Sequence, residues 1–272
     1  MKEYFELPNG NKMPALAYGT WLIKNEIAAE CVKNAIEVGY RHIDTAQAYG
    51  NEEGVGEGIR LSGIKREDLF VTTKVKADYK SYKRAKKSID ESLERLGLNY
   101  VDLILIHCPQ PWPLFRGPKK YYKENREVWR ALEEAYEEGK VKAIGVSNFN
   151  GKDLQNIIDN CKIKPMVNQI LLHIGKTPTE IVDYCNANGI IVEAYSPIAH
   201  GRALDDEVIG AMAKKYNVSI AQLCIKYTLQ LDTVSIPKAT SREHIEEDFK
   251  LDFEISEEDM NVLLALNKIT TY

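Results

Sequence analysis

The sequence predicts an α/β protein: a (β/α)8 TIM barrel with an N-terminal β-hairpin and extra helices, residues 1–272 forming a single domain. Three observations lead there. Short apolar runs of strand length alternate with stretches of helical periodicity, as in repeated βαβ units. The length of 272 residues is close to the ~250 typical of one such barrel. Three early runs lead straight into ionisable side chains: Tyr40–Ile43 into Asp44 and then Tyr49, Leu69–Thr73 into Lys74, and Val101–Ile106 into His107. In a β/α barrel the C-terminal ends of the strands carry the chemistry.

Each element follows from a local signal. Tyr4–Leu7 and Lys12–Ala15 flank Pro8-Asn9-Gly10, and Asn-Gly is a strong hairpin turn. Leu16–Gly19 is the expected first barrel strand. Ile27, Cys31, Ile36 and Val38, with Ala28 and Ala35, suit the helix that follows. Gly54, Gly56 and Gly58 fall in a helix-like stretch, well after the second strand. Their place and spacing do not fit the G-x-G-x-x-G of a Rossmann sheet, so they are expected to pack that helix against the barrel. Tyr82, Ala85, Ile89, Leu93 and Leu96 recur at helical steps before Gly97 stops the helix. Val128, Leu132 and Ala135 mark another helix, closed by Gly139. Val141–Val146, Met166–Ile170, Ile190–Ala194 and Thr233–Ile236 complete eight strand candidates, and a last helix is expected over Ser256–Leu266.

The bulk numbers exclude several function classes. A hydrophobic content of 44% and a charged content of 28% are those of an ordinary globular protein. With 36 basic and 40 acidic residues, the chain lacks the basic bias of a nucleic-acid binder. The runs at Lys83–Lys87 and Lys119–Lys123 read as solvated faces. Five cysteines with no C-x-x-C spacing point to reduced thiols in a cytoplasmic protein. MKEYFELPNG has no apolar signal region, and no apolar run nears the ~20 residues of a membrane span. Neither a nucleic-acid nor a membrane partner is expected. Oligomeric state is not legible, and a monomer is the default expectation.

A tyrosine, a lysine, an aspartate and a histidine converging at strand ends make a proton-donating site, which is what reduction of a carbonyl requires. Singly, each has an ordinary explanation: a helix cap for Asp44, a loop aromatic for Tyr49, a structural ion pair for Lys74, a core histidine for His107. A metal-dependent barrel enzyme would need several convergent Asp, Glu or His ligands. Only Asp44 and His107 are evident, and Lys74 would repel a cation, so no metal ligand is assigned.

Eight segments in order carry a resemblance over nearly the whole chain. They are Met13-Pro14 with Gly19-Thr20-Trp21, RHIDTAQAYGNE, VTTKV, DLILIHCP, GKVKAIGVSNF, VNQILLH, VEAYSPIAHG and IPKATSREHIEED. Together they resemble the aldo-keto reductases, most of all the prokaryotic branch related to diketogluconate reductase. The resemblance implies NAD(P)H-dependent reduction of small aldehydes or ketones, with hydride from the nicotinamide and a proton from Tyr49. A free tyrosine has a pKa of ~10 and donates poorly unless a neighbouring ammonium stabilises its phenolate. Lys74 takes that role, Asp44 orients Lys74, and His107 polarises the carbonyl. The alternative is a non-catalytic nicotinamide-binding barrel that senses redox state. Its mark would be loss of a member of this tetrad, and all four are present.

The same resemblance assigns the cofactor contacts. Ser147, Asn148 and Gln169 form the carboxamide clamp, since an amide can read another amide. Tyr195 is the aromatic that stacks on the nicotinamide. Ser196 and the backbone at Ile198 meet the pyrophosphate, and Thr20 is a further cofactor contact. Lys238 meets the 2′-phosphate, with Ala239, Thr240, Ser241, His244, Glu247 and Asp248 around the adenosine. Trp21, Tyr49, His107, Cys108 and Trp112 are the substrate contacts, with Tyr18 a nearby candidate and the loop Pro109–Tyr122 supplying much of the pocket. At the adenosine end three positions depart from the family: His244 stands for arginine, Ala239 for serine and Asp248 for asparagine. Arginine grips a phosphate bidentately and stacks on adenine, and histidine offers less on both counts. NADPH is therefore the expected cofactor, with weakened discrimination against NADH. Ser241 and Arg242 are candidates to help. Cys108 replaces a tryptophan and leaves room that Trp112 partly fills. Leu171 and Ile174 replace a glutamate and a proline after the sixth strand.

Overall fold

A computed structural model describes residues 2–266 of the chain. A hairpin of β1 (Tyr4–Glu6) and β2 (Lys12–Pro14) comes first. The barrel units follow: β3 (Tyr18–Gly19) and α1 (Asn25–Val38), β4 (His42–Asp44) and α2 (Glu52–Ser62), β5 (Phe70–Val75) and α3 (Tyr82–Leu96), β6 (Leu103–Ile106) and α4 (Tyr122–Glu137). Then come β7 (Ile144–Ser147) and α5 (Gly151–Ile158), β8 (Val167–Leu171) and α6 (Thr179–Ala187), β9 (Ile191–Tyr195), α7 (Glu207–Tyr216) and α8 (Ile220–Gln230), and β10 (Val234–Ile236) with α9 (Arg242–Phe249) and α10 (Glu257–Leu264). The hairpin and the eight barrel strands stand where the sequence places them, with ends shifted by no more than three residues. The extra helices are α7 and α10.

Strands β3 to β10 pair in sequence order, all parallel. The first and last strands then meet. Leu16 bridges Ser235 in parallel, and the N–H groups of Ala17 and Gly19 donate to the carbonyls of Ser235 and Pro237. That closes the ring and satisfies the edges of the sheet.

Side chains alternate across the strands. Ile43, Val71, Ile104, Ile144 and Val192 belong to a large apolar cluster with the helices. Their inward neighbours form the barrel core. At its N-terminal end the hairpin residues Phe5, Leu7 and Met13 join Phe70, Leu103, Met166 and Val234 in a second cluster. The apolar bottom is thus sealed by the hairpin, and the polar inward residues gather at the other end. Gly145 is needed inside: a Cβ there would stand 2.6 Å from the Val167 carbonyl and 2.8 Å from Leu105.

The glycines of α2 correct one expectation. Cβ atoms at Gly54 and Gly58 would collide with Asn25, Ala28, Ala29 and Val32 of α1, and one at Gly56 with Leu96 at the end of α3. These glycines let α2 lie against its neighbouring helices rather than against the strands. Side-chain caps fix the starts of α3, α5 and α7 to α10, with capping boxes at Asn150/Asp153 and Ser219/Gln222. No helix among the described residues is long and apolar enough to cross a membrane.

Candidate active site

Successive strands deliver the polar groups to one end of the barrel. Asp44 ends β4, Lys74 is the penultimate residue of β5, His107 follows β6, Ser147 ends β7, Gln169 sits within β8 and Tyr195 ends β9. Tyr49 arrives differently. It closes a single 3-10 turn, Gln47–Tyr49, before Gly50 in the left-handed conformation. Gln47 anchors that turn: its amide donates to the Ser88 carbonyl and the Ser92 hydroxyl, both at 2.9 Å, and its oxygen accepts from the Lys76 N–H at 3.0 Å.

Lys74 is 0% exposed, and all three ammonium protons are used. Its Nζ donates to Asp44 Oδ1 at 2.6 Å, to the Thr45 carbonyl at 2.9 Å and to the Tyr49 hydroxyl at 3.3 Å. Burial alone would strip the charge from Lys74. Asp44 and Tyr49 outweigh it and hold the ammonium above its usual range. The His107 ring stands edge-on to Tyr49 at 5.6 Å and to Trp112 at 5.3 Å. Burial, with Lys74 and Lys80 behind it, keeps His107 well below the ordinary histidine range. A neutral imidazole donates one N–H and no more. Lys80 steadies the segment after His107 by donating to the Cys108 carbonyl at 2.7 Å and to Asn125 Oδ1 at 2.8 Å.

Beside the tetrad lies a web of amides and hydroxyls. Ser147 donates to the Gln169 carbonyl at 2.9 Å, and Tyr195 donates to Asn148 Oδ1 at 2.8 Å. The Asn148 amide donates to the His107 carbonyl and to Ser147 Oγ, from a backbone at φ 62° that asparagine tolerates better than most residues. A cavity of about 1330 Å³ opens over these groups and runs on to Lys238, His244 and Asp248.

Residues 15–268 match the Aldo/keto reductase family. The chain belongs to that family, and it is an oxidoreductase. It is 45% identical over 270 residues to a protein named glyoxal reductase from Bacillus subtilis, covering 98% of this chain and 94% of that one. A protein named methylglyoxal reductase from Escherichia coli is 36% identical over 266 residues, covering 97% of this chain and 93% of that one. Among solved structures, a Bombyx mori aldo-keto reductase in complex with NADP superposes with a TM-score of 0.87 at 34% identity, over 98% of this chain and 93% of that one.

The reductase brings most of the sequence-predicted groups to the cavity. Asp44, Tyr49 and His107 line it at one end, Ser147, Asn148, Gln169 and Tyr195 beside them, and Ser196 and Ile198 further along. Lys238, Ala239, Thr240, His244, Glu247 and Asp248 line the far end, and Trp21 and Trp112 form walls. Trp21, 38% exposed, meets the His200 ring edge-on at 5.1 Å.

Other expectations need correcting. Cys108 is fully buried, does not line the cavity, and its thiol is pushed up to about 12 by burial. Trp112 stands edge-on against the His107 ring. Thr20 is buried, with its hydroxyl on the Asp44 carbonyl at 3.0 Å, and is likewise absent from the lining. Tyr18 donates to the Ala239 carbonyl from beneath the far end. Ser241 spends its hydroxyl as the N-cap of α9, accepting from the His244 N–H at 3.3 Å. Arg242 turns outward to Glu37 at 2.8 Å and Glu246 at 3.0 Å, so it does not help Lys238.

Three residues went unread in the sequence. Arg116 joins the substrate end with its guanidinium against Phe115, and His200 enters from the loop after β9. Glu193 lies buried beneath Gln169. A glutamate inside the apolar run Ile190–Ala194 was the available signal.

Proposed function

We propose that the reductase converts small aldehydes and ketones to alcohols, with NADPH as its main cofactor and NADH as a second, and with Tyr49 as the proton donor. The names of its relatives favour α-oxoaldehydes of the glyoxal and methylglyoxal type. The observation that carries the proposal is the Lys74 ammonium, buried beneath the cavity between Asp44 and the Tyr49 hydroxyl, which line it.

The cavity suits the cofactor. Its volume of about 1330 Å³ exceeds the ~300–1,000 Å³ of an ordinary small-molecule pocket, and a two- or three-carbon aldehyde needs little of it. The rest has an amide cluster at one end and the Lys238 cation at the other, which matches a carboxamide and a phosphate. Ser147, Asn148 and Gln169 would hold the carboxamide, Tyr195 the ring, and Lys238 the 2′-phosphate. Bound NADPH supplies the hydride.

The protein's own groups manage the oxygen. His107 donates its N–H to the carbonyl oxygen and polarises the bond. As that oxygen gains negative charge, the Tyr49 O–H bond breaks and its proton completes the alcohol. The phenolate left behind faces Lys74 Nζ, which Asp44 keeps charged. Solvent then returns the proton to Tyr49.

The test is a panel of glyoxal, methylglyoxal, a keto sugar and a ketosteroid with each cofactor, following nicotinamide absorbance. Oxidation of NADPH by the α-oxoaldehydes, and slower oxidation of NADH, is expected. Binding of both cofactors without turnover of any carbonyl would overturn the proposal and leave a nicotinamide-binding barrel.

A further inference from the structure

One ionisable group inside the barrel takes no part in the reaction above. Glu193 sits at the centre of β9, opposite Gln169 on β8 and Val234 on β10, and is 0% exposed. Its Oε2 accepts from Gln169 Nε2 at 2.9 Å. Its Oε1 is buried with no hydrogen-bond partner among the described residues. The nearest base is His42 Nε2, at 3.7 Å. Burial holds His42 down to about 4, so its ring is neutral. His42 Nδ1 faces the Pro14 carbonyl at 3.3 Å, and a carbonyl only accepts. The ring proton therefore belongs on Nδ1, and Nε2 accepts from the Thr72 hydroxyl at 2.9 Å. Among the described residues, the Gln169 amide is the donor hydrogen-bonded to Glu193.

The second hydrogen of that amide goes to Asp44 Oδ2, at 2.8 Å. Two carboxyl groups thus share one NH2 in the buried interior, with the Lys74 ammonium on the far side of Asp44. When like charges compete for a buried site, one of them takes a proton. Asp44 has the ammonium, so Glu193 is the neutral member. Its carbonyl oxygen accepts from Gln169, and its hydroxyl lies on the His42 side. The groups facing it are Asp44 and His42 from β4, Lys74 and Thr72 from β5, and Gln169 from β8. β10 contributes only Val234 opposite it.

We infer that Glu193 is a positioning residue: as a neutral acid it holds the Gln169 amide against Asp44 Oδ2, so that Asp44 presents Oδ1 to Lys74 and the ammonium stays in place beside Tyr49. This rests on Tyr49 being the proton donor. Burial first, then the charge of Asp44, push the Glu193 carboxyl up to about 8, which agrees with a neutral acid at pH 7. Without the acceptor at 193 the amide is free to turn, Asp44 loses the donor on Oδ2, and the pairing with Lys74 loosens.

The test compares wild type, Glu193→Gln and Glu193→Val in two readouts. The first is kcat. The second is the ionisation of Tyr49, read as an ultraviolet difference spectrum against Tyr49→Phe in the same background. Glu193→Val should lower kcat about tenfold or more, because displacing a reacting group by an ångström costs about a hundredfold. The Tyr49 ionisation should move to higher pH. Glu193→Gln, which keeps the acceptor oxygen without a titrating group, should restore most of both. Should the valine variant not fold, Glu193→Asp withdraws the acid by one methylene and should show the same loss and displacement. Unchanged kcat and an unchanged Tyr49 ionisation in Glu193→Val, or in Glu193→Asp in its place, overturn the inference. A loss in Glu193→Gln equal to that in Glu193→Val overturns it too, since the ionisable proton rather than the acceptor would then matter. Full turnover in Tyr49→Phe alone would instead sink the proton-donor reading.

Discussion

The two ends of the cavity are made from different material. The reactive end is set by strands: Asp44, Lys74, His107, Ser147 and Gln169 are all buried on strands or just beyond their ends, and Lys74 has three acceptors for three protons. The far end is set by the turn after β10 and the start of α9, and Lys238, Thr240 and His244 there are exposed. Barrel register fixes the first set to one another, so a change in one group is felt by all. Side chains of the second set act more independently, so cofactor preference can drift there without disturbing the chemistry. Arg242 shows how loosely that end is constrained. It lies two residues from His244, yet its guanidinium serves Glu37 and Glu246 on the outside.

The largest effect expected from this contrast is at Lys74. Lys74→Met should lower carbonyl reduction by ~10²-fold or more, the scale of a lost general acid. It also strands Asp44 in the interior without its cation, which should cost about 3–5 kcal/mol of stability. Steady-state kinetics and a urea melt read the two together. Retained activity with an unchanged pH–rate profile would break the idea of a coupled reactive end.

At the far end, His244→Arg should tighten NADPH by roughly 1–3 kcal/mol, the range for a hydrogen bond to a charged group, and hardly change NADH. Quenching of tryptophan fluorescence by each cofactor measures both. Equal tightening would mean that position 244 does not read the 2′-phosphate.

The smallest effect on the reaction concerns Asp248. Burial, and then Glu247, raise its carboxyl from an ordinary 3.8 to about 7. A carboxyl raised in the folded state contributes stability below the unfolded value, and that contribution is lost as pH rises through about 7. Wild type should therefore lose stability between pH 4 and pH 8 through this group, and Asp248→Asn should flatten that slope with little effect on kcat. Parallel slopes in the two proteins would remove Asp248 from the account of the far end.

The same contrast explains what the sequence makes legible. Asp44, Lys74 and His107 are readable because each follows an apolar run, and the barrel brings such ends together. Cys108 was misplaced by adjacency. In an extended chain neighbouring side chains point to opposite sides, so the residue after an inward histidine is turned away from the cavity. Thr20 follows Gly19 and bonds the Asp44 carbonyl instead of facing the cavity. The α2 glycines announce a close approach, but their spacing does not say what approaches. At the far end, Ser241 reads equally well as a phosphate contact and as a helix cap, and only the turn geometry decides. Glu193 was visible as a charge in an apolar strand. Gln169 lies 24 residues before Glu193 and 125 residues after Asp44, so no local pattern joins the three.

The most direct test of the central claim is Tyr49→Phe in a single-turnover reduction of methylglyoxal by prebound NADPH, with NADPH affinity measured on the same protein. The substitution removes one hydroxyl and leaves the ring against His107. Affinity should stay at the wild-type value while the reduction rate falls ~10²-fold or more. A rate near that of wild type, with NADPH bound as tightly, would show that the proton comes from elsewhere.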